Sequence, residues 1–119
     1  MSEADEAYPN LRRIITGHDA QGRSVAMIDE LINYQGAGTE GWRFQDVWSH
    51  TMLPAPIDPT EEDPTKKPLD MRTIEHGLFC RISDVPPTPP GAKPYMHRTN
   101  SVDYLHILEG EITMLLSEG

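Results

Sequence analysis

The sequence predicts an all-β fold, and three observations carry that prediction. Short alternations of apolar and polar residues with period two recur along the chain, over residues 11–16, 24–31, 42–52 and 103–116. Glycine- and proline-rich stretches punctuate them, ten of the eleven prolines falling between Pro54 and Pro94. No internal repeat and no coiled-coil heptad competes with the pattern.

At 119 residues the chain is long enough for one domain with a core. Its formal net charge of −9 argues against sequence-independent binding to nucleic acid. Cys80 is the only cysteine, so no intrachain disulfide forms and a reducing compartment is expected. The N-terminus is acidic and lacks the apolar segment of a signal peptide. No apolar run approaches the ~20 residues of a membrane span. A soluble cytoplasmic protein is therefore expected, with no nucleic-acid or membrane partner.

Residues 1–10, with Glu3, Asp5 and Glu6, read as a flexible tail. Residues 11–16 form a β-rich run closed by the turn cluster Gly17-His18-Asp19-Ala20-Gln21-Gly22. Residues 24–31 follow, with Val25, Met27 and Asp29 on one face and Ala26 and Ile28 on the other. Together they form a β-hairpin; a short helix is the alternative for the second run. Residues 35–41 are a glycine-rich loop. They lack the Gly-Lys-Ser/Thr ending of a phosphate-binding loop, and no helical pattern follows.

Over residues 42–52, Trp42, Phe44, Asp46, Trp48, His50 and Met52 share one strand face. That face is a core wall, or the wall of a ligand pocket with Trp48 stacking and His50 hydrogen-bonding. Residues 53–68 are too rich in proline for a helix or a central strand and read as a mobile surface loop. Their acidic run, Asp58, Glu61, Glu62 and Asp63, reads as solvated. Strand character resumes over 69–85, where Cys80 is expected to be a buried, inert thiol. Residues 86–91 are a rigid extended connector.

The last 29 residues carry the densest pattern. Residues 103–108 alternate in the manner of a strand buried on both faces, and 112–116 alternate again, with Gly110 placed for a bulge between them. His97 and Thr99, two apart, point to one face of an extended chain. His106, three residues from Asp103, points to the opposite face and reads as a core or interface histidine. His18 and His76 adjoin glycines in turns and read as surface residues.

Gly91, His97, Thr99, Asp103 and Gly110 stand without a gap at the marked positions of G-x5-H-x-H-x3-E-x6-G. The stretch resembles the first motif of the cupin superfamily, with Thr99 in place of the second histidine and Asp103 in place of the glutamate. Its form, His-Arg-Thr-x-Ser-x-Asp-Tyr, is similar to one branch of small single-domain cupins found in bacteria and in fungal biosynthetic clusters. Arg12-Arg13-Ile14-Ile15-Thr16-Gly17-His18-Asp19 resembles the opening of proteins in that branch. The second cupin motif, roughly G-x5-P-x-G-x2-H-x3-N, has no counterpart here. The resemblance implies a cupin-type jelly-roll barrel of which residues 11–119 carry a part. It also implies N-terminal strands that cross to a second subunit; a strand over 111–116 without a hairpin partner would leave an open apolar edge for another subunit to cover, so a homodimer is expected.

A metal cupin converges several histidines and a carboxylate on one ion. Here only His97 and Asp103 stand at ligand positions, and Thr99 is a poor ligand, so no metal or other cofactor is expected. If an ion bound, those two residues would be its ligands. The resemblance and the residues together point to a small-molecule tailoring enzyme of natural-product type, a lyase, isomerase or cyclase working by metal-independent acid–base chemistry. His97 and Asp103 are its catalytic pair, the imidazole moving a proton and the carboxylate holding it in place. Thr99, Trp48, His50 and Tyr95 are its substrate-binding residues. The alternatives are a non-catalytic small-molecule-binding or scaffolding cupin, and a metal-dependent cupin oxygenase.

Overall fold

The computed structural model describes residues 11–32, 41–58, 61–67 and 76–118, and the backbone of 35–37. The tail expected over residues 1–10 lies outside them. The chain divides into two compact units, Met1–Pro86 and Pro87–Gly119.

In the first unit, β1 (Leu11–His18) and β2 (Ser24–Ile32) pair antiparallel as the expected hairpin. Asp19 builds its turn. Its carboxylate accepts the N–H groups of Gln21 and Arg23 at 2.9 Å each and the Arg23 Nε–H at 2.7 Å, as aspartate does at turns. Gly22 takes a φ of +77°, which costs a glycine nothing. Burial along β1 alternates, with Leu11, Arg13, Ile15 and Gly17 turned from solvent and Arg12, Ile14, Thr16 and His18 exposed. Ile15 faces Ile28 while Thr16 faces Ala26, so Met27 is the extra residue of a bulge. Its side chain lies across Gly17, in space that a Cβ there would occupy.

Strands β3 (Gln35–Ala37), β4 (Arg43–His50) and β5 (Leu78–Asp84) form an antiparallel sheet in the order β3-β4-β5. Residues 35–37, expected as part of a glycine-rich loop, instead pair with Phe44 and Arg43. A β4 edge open to pairing outweighs the weak strand preference of glycine. The single face expected for 42–52 is also divided. Asp46 faces Arg81 and Trp48 faces Cys80, so Val47 has no opposite residue and the alternation reverses there. Phe44 and Asp46 share a side with Phe79 and Arg81, whereas Trp48 and His50 follow the register of Cys80 and Leu78. Cys80 is exposed, not buried, because the face of β5 that it shares with the exposed Leu78 is left open to solvent.

The proline-rich loop is anchored where it was expected to be mobile. Residues Pro64–Lys66 form a 3-10 turn capped by Asp63, whose carboxylate accepts the Thr65 N–H at 2.9 Å. The Leu53–Pro54 peptide is cis.

In the second unit, residues 91–118 are exposed throughout and no strand forms among those described. The strands expected over 103–108 and 112–116 thus do not form. Alternation supplies a face, but a strand also needs a partner for its backbone donors and acceptors. Gly91 and Gly110 take φ values of +77° and +83°. The all-β class therefore stands as two small antiparallel sheets, and the described residues contain no closed barrel. No helix among the described residues is long and apolar enough to cross a membrane.

Candidate functional site

The described residues place polar side chains where a small domain usually places leucines. The buried ones are Arg13, Gln45, Ser49 and Thr65, and no apolar side chain among the described residues is buried. Arg13 is the hub. It lies opposite Glu30 in the hairpin register, and its Nη2 donates to that carboxylate and to Asp63. Its Nη1 donates to the Val47 carbonyl at 3.1 Å and to the Thr65 hydroxyl at 3.0 Å. Val47 is the residue of β4 without an opposite partner in the register, and its carbonyl accepts from the guanidinium. One arginine thereby ties the hairpin, the second sheet and the proline-rich loop together.

Burial pushes the Asp63 carboxyl up, but the Arg13 and Thr65 hydrogen bonds and the Arg13 charge outweigh it and bring it down to about 2. A carboxylate held below its ordinary 3.8 contributes stability above that value, and the contribution is lost as pH falls toward 2. The expected loss through that window is about 2 kcal/mol. Urea unfolding at pH 6 and near pH 2.5 should show it, with a smaller pH dependence in Asp63→Asn. Equal pH dependence in the two proteins would contradict this role.

The residues expected to form the site fall in both units. In the first, Trp48 and His50 are neighbours, ring centroids 6.5 Å apart and edge-on. His50 borders a small cleft of about 140 Å³ with Ser49, Met52, Pro56 and Glu61. Its Nδ1 lies 3.9 Å from a Glu61 oxygen, beyond hydrogen-bond reach. Trp48 is not among the residues lining that cleft. Asp46 is held by Arg81 in a two-pronged pair at 2.7 and 3.2 Å, and the same guanidinium sits 4.0 Å from the Phe44 ring centroid.

In the second unit, Tyr95 and His97 stack, with centroids 5.5 Å apart and planes 26° apart. Asp103 accepts the Ser101 hydroxyl at 2.8 Å, and Ser101 lies 2.9 Å from the Thr99 hydroxyl. Ser101 has one proton, and the carboxylate takes it. The Thr99 hydroxyl therefore donates to Ser101, which leaves Thr99 Oγ1 to act outward as an acceptor. Two clusters emerge, Tyr95 with His97 and Thr99 with Ser101 and Asp103. No hydrogen bond joins His97 to Asp103 directly. Ser101, which the sequence pattern does not single out although period two sets it between Thr99 and Asp103, is the residue that links them. Among the described residues, no three His, Cys, Asp or Glu side chains converge at metal-ligand spacing.

No protein-family model matches the chain. It is similar to "Phomopsin biosynthesis cluster protein D" and "Phomopsin biosynthesis cluster protein C'" of Diaporthe leptostromiformis, at 34% identity to each over 122 residues. The matched region takes in 93% of this chain and 61% of each relative. The chain thus spans about three fifths of the length of the curated relatives it matches.

Proposed function

We propose that this protein is a small-molecule tailoring enzyme of secondary metabolism, of cupin type, acting by acid–base chemistry on residues 95–103. The observation that carries the reading is the directed hydroxyl chain from Thr99 through Ser101 to Asp103, two residues from an imidazole stacked on Tyr95. The matched relatives are by name products of a phomopsin biosynthesis cluster, which supports a role in making a secondary metabolite. In this reading His97 moves a proton at a carbon next to a carbonyl, and Tyr95 packs against the apolar part of the substrate. Thr99, its polarity set by Asp103, accepts a hydrogen bond from a substrate hydroxyl or from the imidazole. Lyase, isomerase and cyclase reactions all include such a proton transfer, and the proton that His97 takes up is returned to another carbon or to the leaving group.

The test is genetic and then biochemical. Deleting the gene in its host should make one intermediate accumulate, and the purified protein should convert it while His97→Ala does not. An unchanged metabolite profile after deletion would sink the reading. A second reading, a non-catalytic binding protein, is favoured by the exposure of His97, Thr99 and Asp103. It predicts that the accumulated compound binds and leaves unchanged.

The exposed apolar run of the second unit supports a homodimer. Tyr104 is 96% exposed, Leu105, Leu108 and Ile112 are also exposed, and monomers seldom leave such a run uncovered. Light scattering should give the mass of two chains. The mass of one chain across a wide concentration range would refute the dimer.

A further inference from the structure

Gln45 lies in the interior of β4, 1% exposed, and among the described residues neither its amide oxygen nor its amide nitrogen has a hydrogen-bond partner. With Glu30, Leu31, Ile32, Asp46 and Lys66 it lines a cleft of about 220 Å³. We propose that this cleft binds a small neutral ligand through a carboxamide edge, a primary amide or lactam, paired with both ends of the Gln45 amide. The site is independent of residues 95–103.

Three features support the assignment. A side-chain amide offers a donor and an acceptor side by side, and the group that answers both at once is another amide. Leaving such a group buried and unmade is costly, so pairing it is favourable in a way that pairing a solvated glutamine is not. Both amide atoms are closed to solvent as the side chain stands, so pairing requires it to turn into the cleft, and because the amide makes no hydrogen bond among the described residues the turn breaks none. Charge then narrows the ligand. Glu30 and Asp46 are held by Arg13 and Arg81, and the Lys66 ammonium is shared by Glu30 at 3.6 Å and Asp63 at 3.9 Å. An anionic ligand would meet two carboxylates and an ammonium already engaged, so a neutral one is preferred. Leu31 and Ile32 supply the apolar wall. The volume is below the ~300–1,000 Å³ of pockets for drug-sized ligands, which suits one small ring or side chain.

The experiment titrates the isotope-labelled full chain with benzamide and follows the Gln45 side-chain NH₂ signals by NMR. Benzamide should shift them saturably. Acetophenone, an acceptor alone, and benzoate, an anion, should bind about tenfold or more weakly. Gln45→Leu and Gln45→Met remove the unpaired polar atoms at similar size. Both should lose benzamide binding while Tm rises by several degrees. The proposal is overturned if benzamide leaves the Gln45 signals unmoved or binds Gln45→Leu equally well. Buried water that pairs both ends of the amide and is not displaced by benzamide overturns it too. So does failure of both variants to fold, since the amide would then be needed by the sheet itself.

Discussion

Arg13→Ala is expected to destabilise the protein by about 3–5 kcal/mol, the usual cost of removing one partner from a buried ion pair. The reason is what the substitution leaves behind. The Arg13 side chain is 2% exposed and the Asp63 side chain 9%, so Asp63 would remain charged, nearly dry and without its guanidinium. Glu30, the bulge carbonyl of Val47 and the Thr65 hydroxyl would lose a donor at the same time. Against a total stability of roughly 5–15 kcal/mol for a small domain, that leaves a protein close to unfolding. Arg13→Lys keeps the charge but not the planar fork that reaches four acceptors, so an intermediate loss is expected. The pair Arg13→Met with Asp63→Leu should lose less than the two single changes would by addition, because no charge is stranded. Urea unfolding measures all five variants, the two single changes of the pair included. An Arg13→Ala protein within about 0.5 kcal/mol of wild type, the range of ordinary surface changes, would remove Arg13 from the centre of the fold.

The other large effect is on turnover in the reaction proposed for residues 95–103. Removing a positioned acid or base costs ~10²–10⁴-fold in rate, and His97→Ala should lower kcat by that factor with the hairpin and sheet unaffected. Asp103→Asn is the more informative change. Its new amide can donate to Ser101, which would turn the hydroxyl chain around and convert Thr99 from an acceptor into a donor. A slower reaction with KM raised would follow from losing that acceptor. Combined with His97→Ala it should add little, since in the proposed reaction both residues serve one proton transfer. His106→Ala is the control, expected to leave kcat near wild type. Full turnover in His97→Ala with loss in His106→Ala would invert the assignment of these two histidines.

Several parts of this protein follow from the sequence alone because their causes are local. The hairpin of β1 and β2 is one. Two alternating runs flank a turn whose aspartate and glycine make their own bonds within five residues, so nothing distant is required. The strand character of β4 and β5, and the lack of long helix among the described residues, are equally local. The site residues of 95–103 could be named in sequence, but not how they group. Stacking joined Tyr95 to His97, and Ser101 joined Thr99 to Asp103.

What only the tertiary structure decided depends on partners far apart in the chain. Arg13 has the same parity as Leu11 and Ile15, which marks it as inward, yet an arginine there has no meaning until Asp63, 50 residues on, arrives to neutralise it. The same contact turns an acidic run that reads as solvated into an anchor for the proline-rich loop. The bulge at Val47 left no mark in the pattern of 42–52, because a bulge is a mismatch between two strands and one strand alone cannot show it. Residues 103–116 make the converse point. Their alternation is the clearest in the chain, and they form no ladder among the described residues, since period two determines which side chains share a face but not whether a neighbouring backbone is there to pair with.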